Sequence, residues 1–91
     1  MEHRLHARKP VSFTVRLMRD KEVVSVSRAI NISSGGMGIE HPEISLRRGQ
    51  VVDVDFIKPD DPLGAICCVP CMVIHTDPSS VGLMFGHDPR L

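Results

Sequence analysis

The sequence predicts a single all-β domain folded as a closed or nearly closed antiparallel barrel, with little or no helix. Apolar and polar residues alternate with the period of a half-buried strand in several segments, and turn chemistry recurs at close spacing between them. No window carries a helical period. At 91 residues the chain has room for one core only, because a domain of this size hides only somewhat more than ~60% of its unfolded surface.

The first strand is read from Val11, Phe13, Val15 and Leu17, which alternate with Ser12, Thr14, Arg16 and Met18. Asp20-Lys21 supplies a two-residue turn into a second strand, where Val24 and Val26 alternate with Ser25 and Ser27. Arg28 then falls on the apolar face ahead of Ile30, and a bulge that rotates it outward is expected. Val52, Val54 and Phe56 alternate with Asp53 and Asp55, and the run from Lys58 to Gly64 is dense in turn residues. The stretch Ala65 to Thr76 is β-prone, with Pro70 marking a bulge or an edge. Asp77-Pro78-Ser79-Ser80 turns the chain into a last strand containing Val81, Leu83 and Phe85. Residues 1–10 have no apolar period and are expected to form a mobile arm; 11–86 form the barrel and 87–91 a tail.

Composition narrows the functional classes. Hydrophobic residues make up 42% and charged residues 24%, as in an ordinary folded protein. Lys plus Arg (11) equals Asp plus Glu (11), so the molecule has no net attraction for DNA. The charge is uneven, however. From Met1 to Arg28, seven basic residues (Arg4, Arg8, Lys9, Arg16, Arg19, Lys21, Arg28) stand against three acidic ones (Glu2, Asp20, Glu22), which leaves +4 there and −4 in the remainder. A local anion site near the N-terminus fits that distribution. The longest apolar stretch, Ala65 to Ile74, is broken by Pro70 and falls short of the ~18 residues that span a bilayer. With no apolar leader after Met1-Glu2-His3-Arg4, a cytoplasmic location is expected.

No nucleophile motif is present and the five histidines are scattered, so the chain is not expected to be an enzyme. Cys68-Val69-Pro70-Cys71 has a C-x-x-C spacing, but in an extended strand those sulfurs sit about 10 Å apart on opposite faces. Neither a metal nor any other cofactor is expected, and the thiols of Cys67, Cys68 and Cys71 read as reduced.

Two pieces of sequence point to an anionic ligand instead. Arg4 and Arg8 place two guanidinium forks four residues apart, each suited to phosphate oxygens or a guanine edge and able to stack on a base. Asn31-Ile32-Ser33-Ser34-Gly35-Gly36 follows a strand, joining short polar side chains to glycines that allow close approach of a ligand. The turn taken alone also reads as an ordinary Asx-type turn.

Together these pieces resemble the PilZ domain family, with its R-x-x-x-R motif before the first strand and D/N-x-S-x-x-G motif after the second. The first is Arg4 to Arg8 and the second Asn31, Ser33 and Gly36, while Val81-Gly82-Leu83-Met84-Phe85 is similar to the family's last strand. The resemblance implies a six-stranded antiparallel barrel that binds cyclic di-GMP. By that resemblance, Arg4 and Arg8 clamp phosphates and guanine faces, Asn31 and Ser33 bond a guanine edge, and Gly36 permits close approach. His3, Lys9, Gly35 and Arg28 are candidate secondary contacts, His3 standing where many members have an Arg. The implied function is a receptor or adaptor whose surface changes on binding to regulate a partner protein. The alternatives are an adaptor that has no nucleotide, and a small barrel binding single-stranded nucleic acid. The second lacks its usual aromatic platforms, since the chain has no Trp, no Tyr and three Phe.

Overall fold

The structure, a computed structural model, describes residues 8–57, 62–64 and 66–86. Its strands are β1 (Lys9–Arg19), β2 (Glu22–Ile32), β3 (Gly36–Glu40), β4 (Val51–Ile57), β5 (Ile66–Thr76) and β6 (Ser80–Phe85). They close into an antiparallel barrel in the order β1-β2-β3-β6-β5-β4, with no helix among the described residues. The barrel is the fold that the alternation predicts, and its six strands are those that the resemblance implies.

Inward residues from every strand fill the barrel. Val15 and Leu17 of β1, Ala29 of β2, Met37 and Ile39 of β3, Val54 of β4, Val73 of β5 and Val81 and Leu83 of β6 are fully buried. The Phe13 and Phe56 rings stack at 5.5 Å between centroids, joining the neighbouring strands β1 and β4. Leu46, from the segment between β3 and β4, is also buried in this core.

Three departures from simple alternation shape the outer wall. β1 begins at Lys9, two residues ahead of the expected start at Val11, because Lys9 and Pro10 pair with Ile32 and Asn31 at the end of β2. Pro10 sits where β1 is laddered on one side only, as a strand proline requires. In β2 the register jumps from Met18↔Val23 to Leu17↔Ser25, so Val24 is an extra residue. That bulge lies ahead of Val26, not beside Arg28. It reverses the expected faces: Ser25, Ser27 and Ala29 take the inward side, while Val26, 56% exposed, shares the outer wall with Arg28. The third departure is a pair of bulges, at Ile30 in β2 and Ile74 in β5, which turn both strands outward at one level of the barrel.

The β1–β2 hairpin turns on Asp20 (φ 52°) and Lys21 (φ 66°), both in the left-handed region. Two positive φ values are the signature of the turn type that matches strand twist, and neither residue is glycine. Lys21→Gly is therefore expected to stabilise the domain by about 0.5 kcal/mol, relief of side-chain strain outweighing the added entropy of the unfolded chain. Thermal unfolding should show a rise of ~2–4 °C. A lower melting temperature would mean that the turn carries no strain.

Candidate functional site

The paired bulges build a trough on the outer wall. The register aligns Asn31 on β2, Gly38 on β3, Gly82 on β6 and His75 on β5 in one row across four adjacent strands. Glycines floor its middle, so Asn31 and His75 face each other across three strand spacings, ~14 Å. Ile30 and Ile74, the extra residues of the two bulges, add apolar walls that are 38% and 39% exposed. Arg8 and Ser80 complete the rim of a groove of about 280 Å³. That is near the small end of the ~300–1,000 Å³ typical of ligand pockets, and the shape suits one flat ring system with the rest of a ligand lying outside.

Arg8 is fixed by Asn31. Its Nη1 donates to Asn31 Oδ1 at 2.8 Å, and the same oxygen accepts the backbone N–H of Gly38 at 2.9 Å. Two donors on one atom identify it as the amide oxygen, leaving Asn31 Nδ2 with two N–H donors that have no acceptor among the described residues. A Cβ at Gly38 would come within 2.9 Å of Asn31 Oδ1, so glycine there is what lets Asn31 lie flat across β3. Opposite, His75 Nε2 donates to Asp77 Oδ2 at 2.9 Å. The Asp77 carboxyl is held well below the usual carboxylate range, first by that imidazole and then by the N–H and hydroxyl of Ser79 and the N–H of Ser80. The turn from Asp77 to Ser80 is thereby tied to the groove wall.

The other sequence-predicted residues stand apart from the trough. Ser33 secures its own turn: its N–H donates to Gly36 O at 2.8 Å, and its Oγ accepts from Gly35 N–H at 3.2 Å. Gly35 accepts from Phe85 N–H, and Gly36 begins β3. Neither adopts a positive φ; the left-handed glycines are Gly49 and Gly64. Gly36 is required for another reason: a Cβ there would sit 2.1 Å from the Leu83 carbonyl oxygen. Lys9 is exposed at the start of β1, and Arg28 donates to Ser12 Oγ at 3.0 Å on the β1–β2 surface. Neither lines the groove. His3 and Arg4, with the rest of residues 1–7 of the expected arm, lie outside the described residues, whereas its Lys9 and Pro10 belong to β1.

Gly38, Gly82, Ile30, Ile74 and His75 were not singled out by the sequence. No local signal marks them: in sequence Ile30 keeps the alternation of Val24 and Val26, and the level at which Gly38, Gly82 and His75 meet is set by pairing between strands.

Cys68 is exposed and Cys71 buried, on opposite faces of β5 as their spacing predicts. Asp55 Oδ2 accepts from Arg16 at 3.2 Å, while its Oδ1 is buried without a conventional partner and faces Cys68, its register neighbour. The Asp55 carboxylate, followed by burial and the charge of Asp53, pushes the Cys68 thiol up to about 11. Cys71 is pushed to about 12, mainly by burial. At pH 8, iodoacetamide should therefore alkylate exposed Cys68 about a hundredfold more slowly than an ordinary cysteine, the rate climbing until pH ~11. Asp55→Asn should move that climb to lower pH. An ordinary alkylation rate in the wild-type protein would show that the carboxylate does not reach the thiol.

Fold and site define a class: a small antiparallel barrel with a glycine-floored trough on its outer wall and an arginine held at the rim. Residues 2–91 match the family model of the PilZ domain, and the chain belongs to that family, whose members are non-catalytic domains. Among solved structures, the chain is similar to the inhibitor of motility (MotI/DgrA) of Bacillus subtilis, with a TM-score of 0.78 and 17% identity over 96% of this chain and 44% of that one. It is also similar to the PilZ domain of CeSA from a cellulose-synthesizing bacterium, with a TM-score of 0.74 and 15% identity over 92% of this chain and 84% of that one. The chain thus spans less than half the length of the first. No curated protein matches the sequence. At these identities the solved structures establish the fold.

Proposed function

We propose that the domain binds cyclic di-GMP in the trough, one guanine lying over Gly38 and Gly82 with Arg8 and Arg4 on phosphates and guanine faces. The observation that carries this reading is the Arg8–Asn31–Gly38 linkage. It joins the second arginine of the R-x-x-x-R motif to the first residue of the N-x-S-x-x-G motif, at the edge of a flat floor made by Gly82 and by the Asn31 amide lying on Gly38. A guanidinium there offers a planar fork to phosphate or to the O6/N7 edge of guanine, and the Asn31 Nδ2 N–H groups meet an acceptor on the base. Ser33 supports the site by holding the turn that leads into β3, and Gly36 by letting β3 lie against β6. Binding changes the outer wall around the trough, and a partner protein reads the change. The similar barrel in the inhibitor of motility is part of a longer chain, which suits a sensing module that acts on something else.

Calorimetric titration with cyclic di-GMP, with GTP and single-stranded RNA as controls, tests the reading. Saturable binding of cyclic di-GMP alone is expected. No binding leaves the domain as an adaptor without nucleotide, and preference for RNA makes it a nucleic-acid barrel. Gly82→Val locates the site, because a Cβ at Gly82 makes only ordinary contact, 3.4 Å from His75 Cβ, while the branched side chain fills the trough floor. The variant should melt within a few degrees of wild type and lose at least about tenfold in affinity. Unchanged affinity would place the ligand elsewhere.

A further inference from the structure

A second surface lies on β2 beyond the reach of β3. β2 has 11 residues and β3 has 5, and the ladder between them stops at Ala29↔Ile39. Among the described residues, Glu22 to Arg28 therefore has β1 on one side and no strand on the other. Ser27 Oγ donates to Glu40 O at 2.6 Å, the last link between the two, and the chain then turns toward β6, where His41 N–H donates to Ser79 O. Beside the open edge lies a groove of about 640 Å³, with Val24, Pro42 and Ile44 as apolar lining and Glu40 and Glu43 as exposed carboxylates. Residues flanking a two-residue hairpin turn share a doubly bonded pair, here Arg19 and Glu22. The next pair, Met18↔Val23, is non-bonded, so Val23 N–H and C=O point away from β1 into the open side.

An edge of this kind is a template for one more strand, main-chain bonds giving affinity and alternate side chains giving specificity. We propose that β2 accepts an extended segment of a partner protein in which aliphatic and basic residues alternate. The aliphatic side chains would lie in the groove on Val24, Pro42 and Ile44, and the basic ones would meet Glu40 and Glu43. Among the described residues no Lys or Arg lines the groove to oppose them, and His41, which does line it, donates through Nδ1 to Pro42 O at 2.8 Å. A second copy of the chain is the poorer occupant, because it would bring an identical acidic rim against this one. The surface is separate from the nucleotide trough, and the proposal does not depend on it.

Amide hydrogen exchange on the full chain tests it, with a synthetic peptide alternating valine with lysine as the probe. The amides of Val23 to Ser27 that point into the open side should gain at least about tenfold protection, and a peptide alternating valine with glutamate should give none. Glu40→Lys/Glu43→Lys changes exposed side chains only and should weaken the lysine peptide about tenfold, with melting temperature and cyclic di-GMP titration unchanged. Val23→Pro removes one edge donor and should weaken it as well. Equal protection by both peptides, protection by neither, or an edge already protected in a concentration-dependent dimer would each overturn the proposal.

Discussion

Gly36→Ala is expected to cost about 2–4 kcal/mol of folding stability, although it adds a single methyl group. The new Cβ would lie 2.1 Å from Leu83 O, 3.2 Å from Leu83 C and 3.3 Å from Met84 Cα, all of them backbone atoms of β6. No side chain can rotate away to relieve the clash, so β3 and β6 must separate at the Gly36↔Met84 pair. A chain of this length has ~5–14 kcal/mol in total, and its melting temperature should fall by ~10–25 °C. Urea and thermal unfolding measure the loss directly. Stability within ~0.5 kcal/mol of wild type would mean that the strands are not as close as this. The contrast with Gly82 is sharp, since its Cβ meets nothing nearer than 3.4 Å. One glycine of the outer wall is demanded by packing and the other by the space above it.

That contrast shows how far the sequence could be read. Alternation located β1, β4 and β6 because those strands keep one face in the core throughout: Val15 and Leu17, Val52 and Val54, Val81 and Leu83 are all buried. It misread β2, where the extra residue Val24 reverses the faces and leaves Val26 in solvent. β3 was not recognised as a strand from alternation. Its five residues, Gly-Met-Gly-Ile-Glu, hold two buried side chains, too few to set a period. The linear motif found Arg8 and Asn31, which do meet, and found Ser33 and Gly36, which hold the turn and the strand beside them. It could not find the floor and far wall of the trough. Gly82 and His75 reach Gly38 through the β3–β6 and β6–β5 pairings, and register between strands distant in sequence is not written in either strand alone.

Arg8→Ala should lower affinity for cyclic di-GMP by at least about a hundredfold while costing no more than ~1 kcal/mol of stability. Arg8 stands half-buried just before β1, and the one hydrogen bond described for it is to Asn31 Oδ1. When Arg8 is removed, that oxygen still accepts Gly38 N–H at 2.9 Å, so no buried group is orphaned and the barrel keeps its pairing. The ligand, by contrast, loses a planar fork. Two charge-assisted bonds at ~1.5–3 kcal/mol each more than cover a hundredfold, since every ~1.4 kcal/mol is a factor of ten. Arg8→Lys should recover little of it, because an ammonium keeps the charge and loses both the fork and the stacking face. Asn31→Ala should behave differently. It removes the acceptor of Gly38 N–H as well as the tether of Arg8, so stability should fall by ~1–3 kcal/mol together with affinity. In the Arg8→Ala/Asn31→Ala double mutant, the affinity losses should be far from additive, since the second substitution acts on a site the first has already dismantled. Calorimetric affinity and melting temperature taken on the same four proteins separate these effects. Additive losses would mean that Arg8 and Asn31 meet the ligand independently, and normal affinity in Arg8→Ala would remove the trough as the nucleotide site.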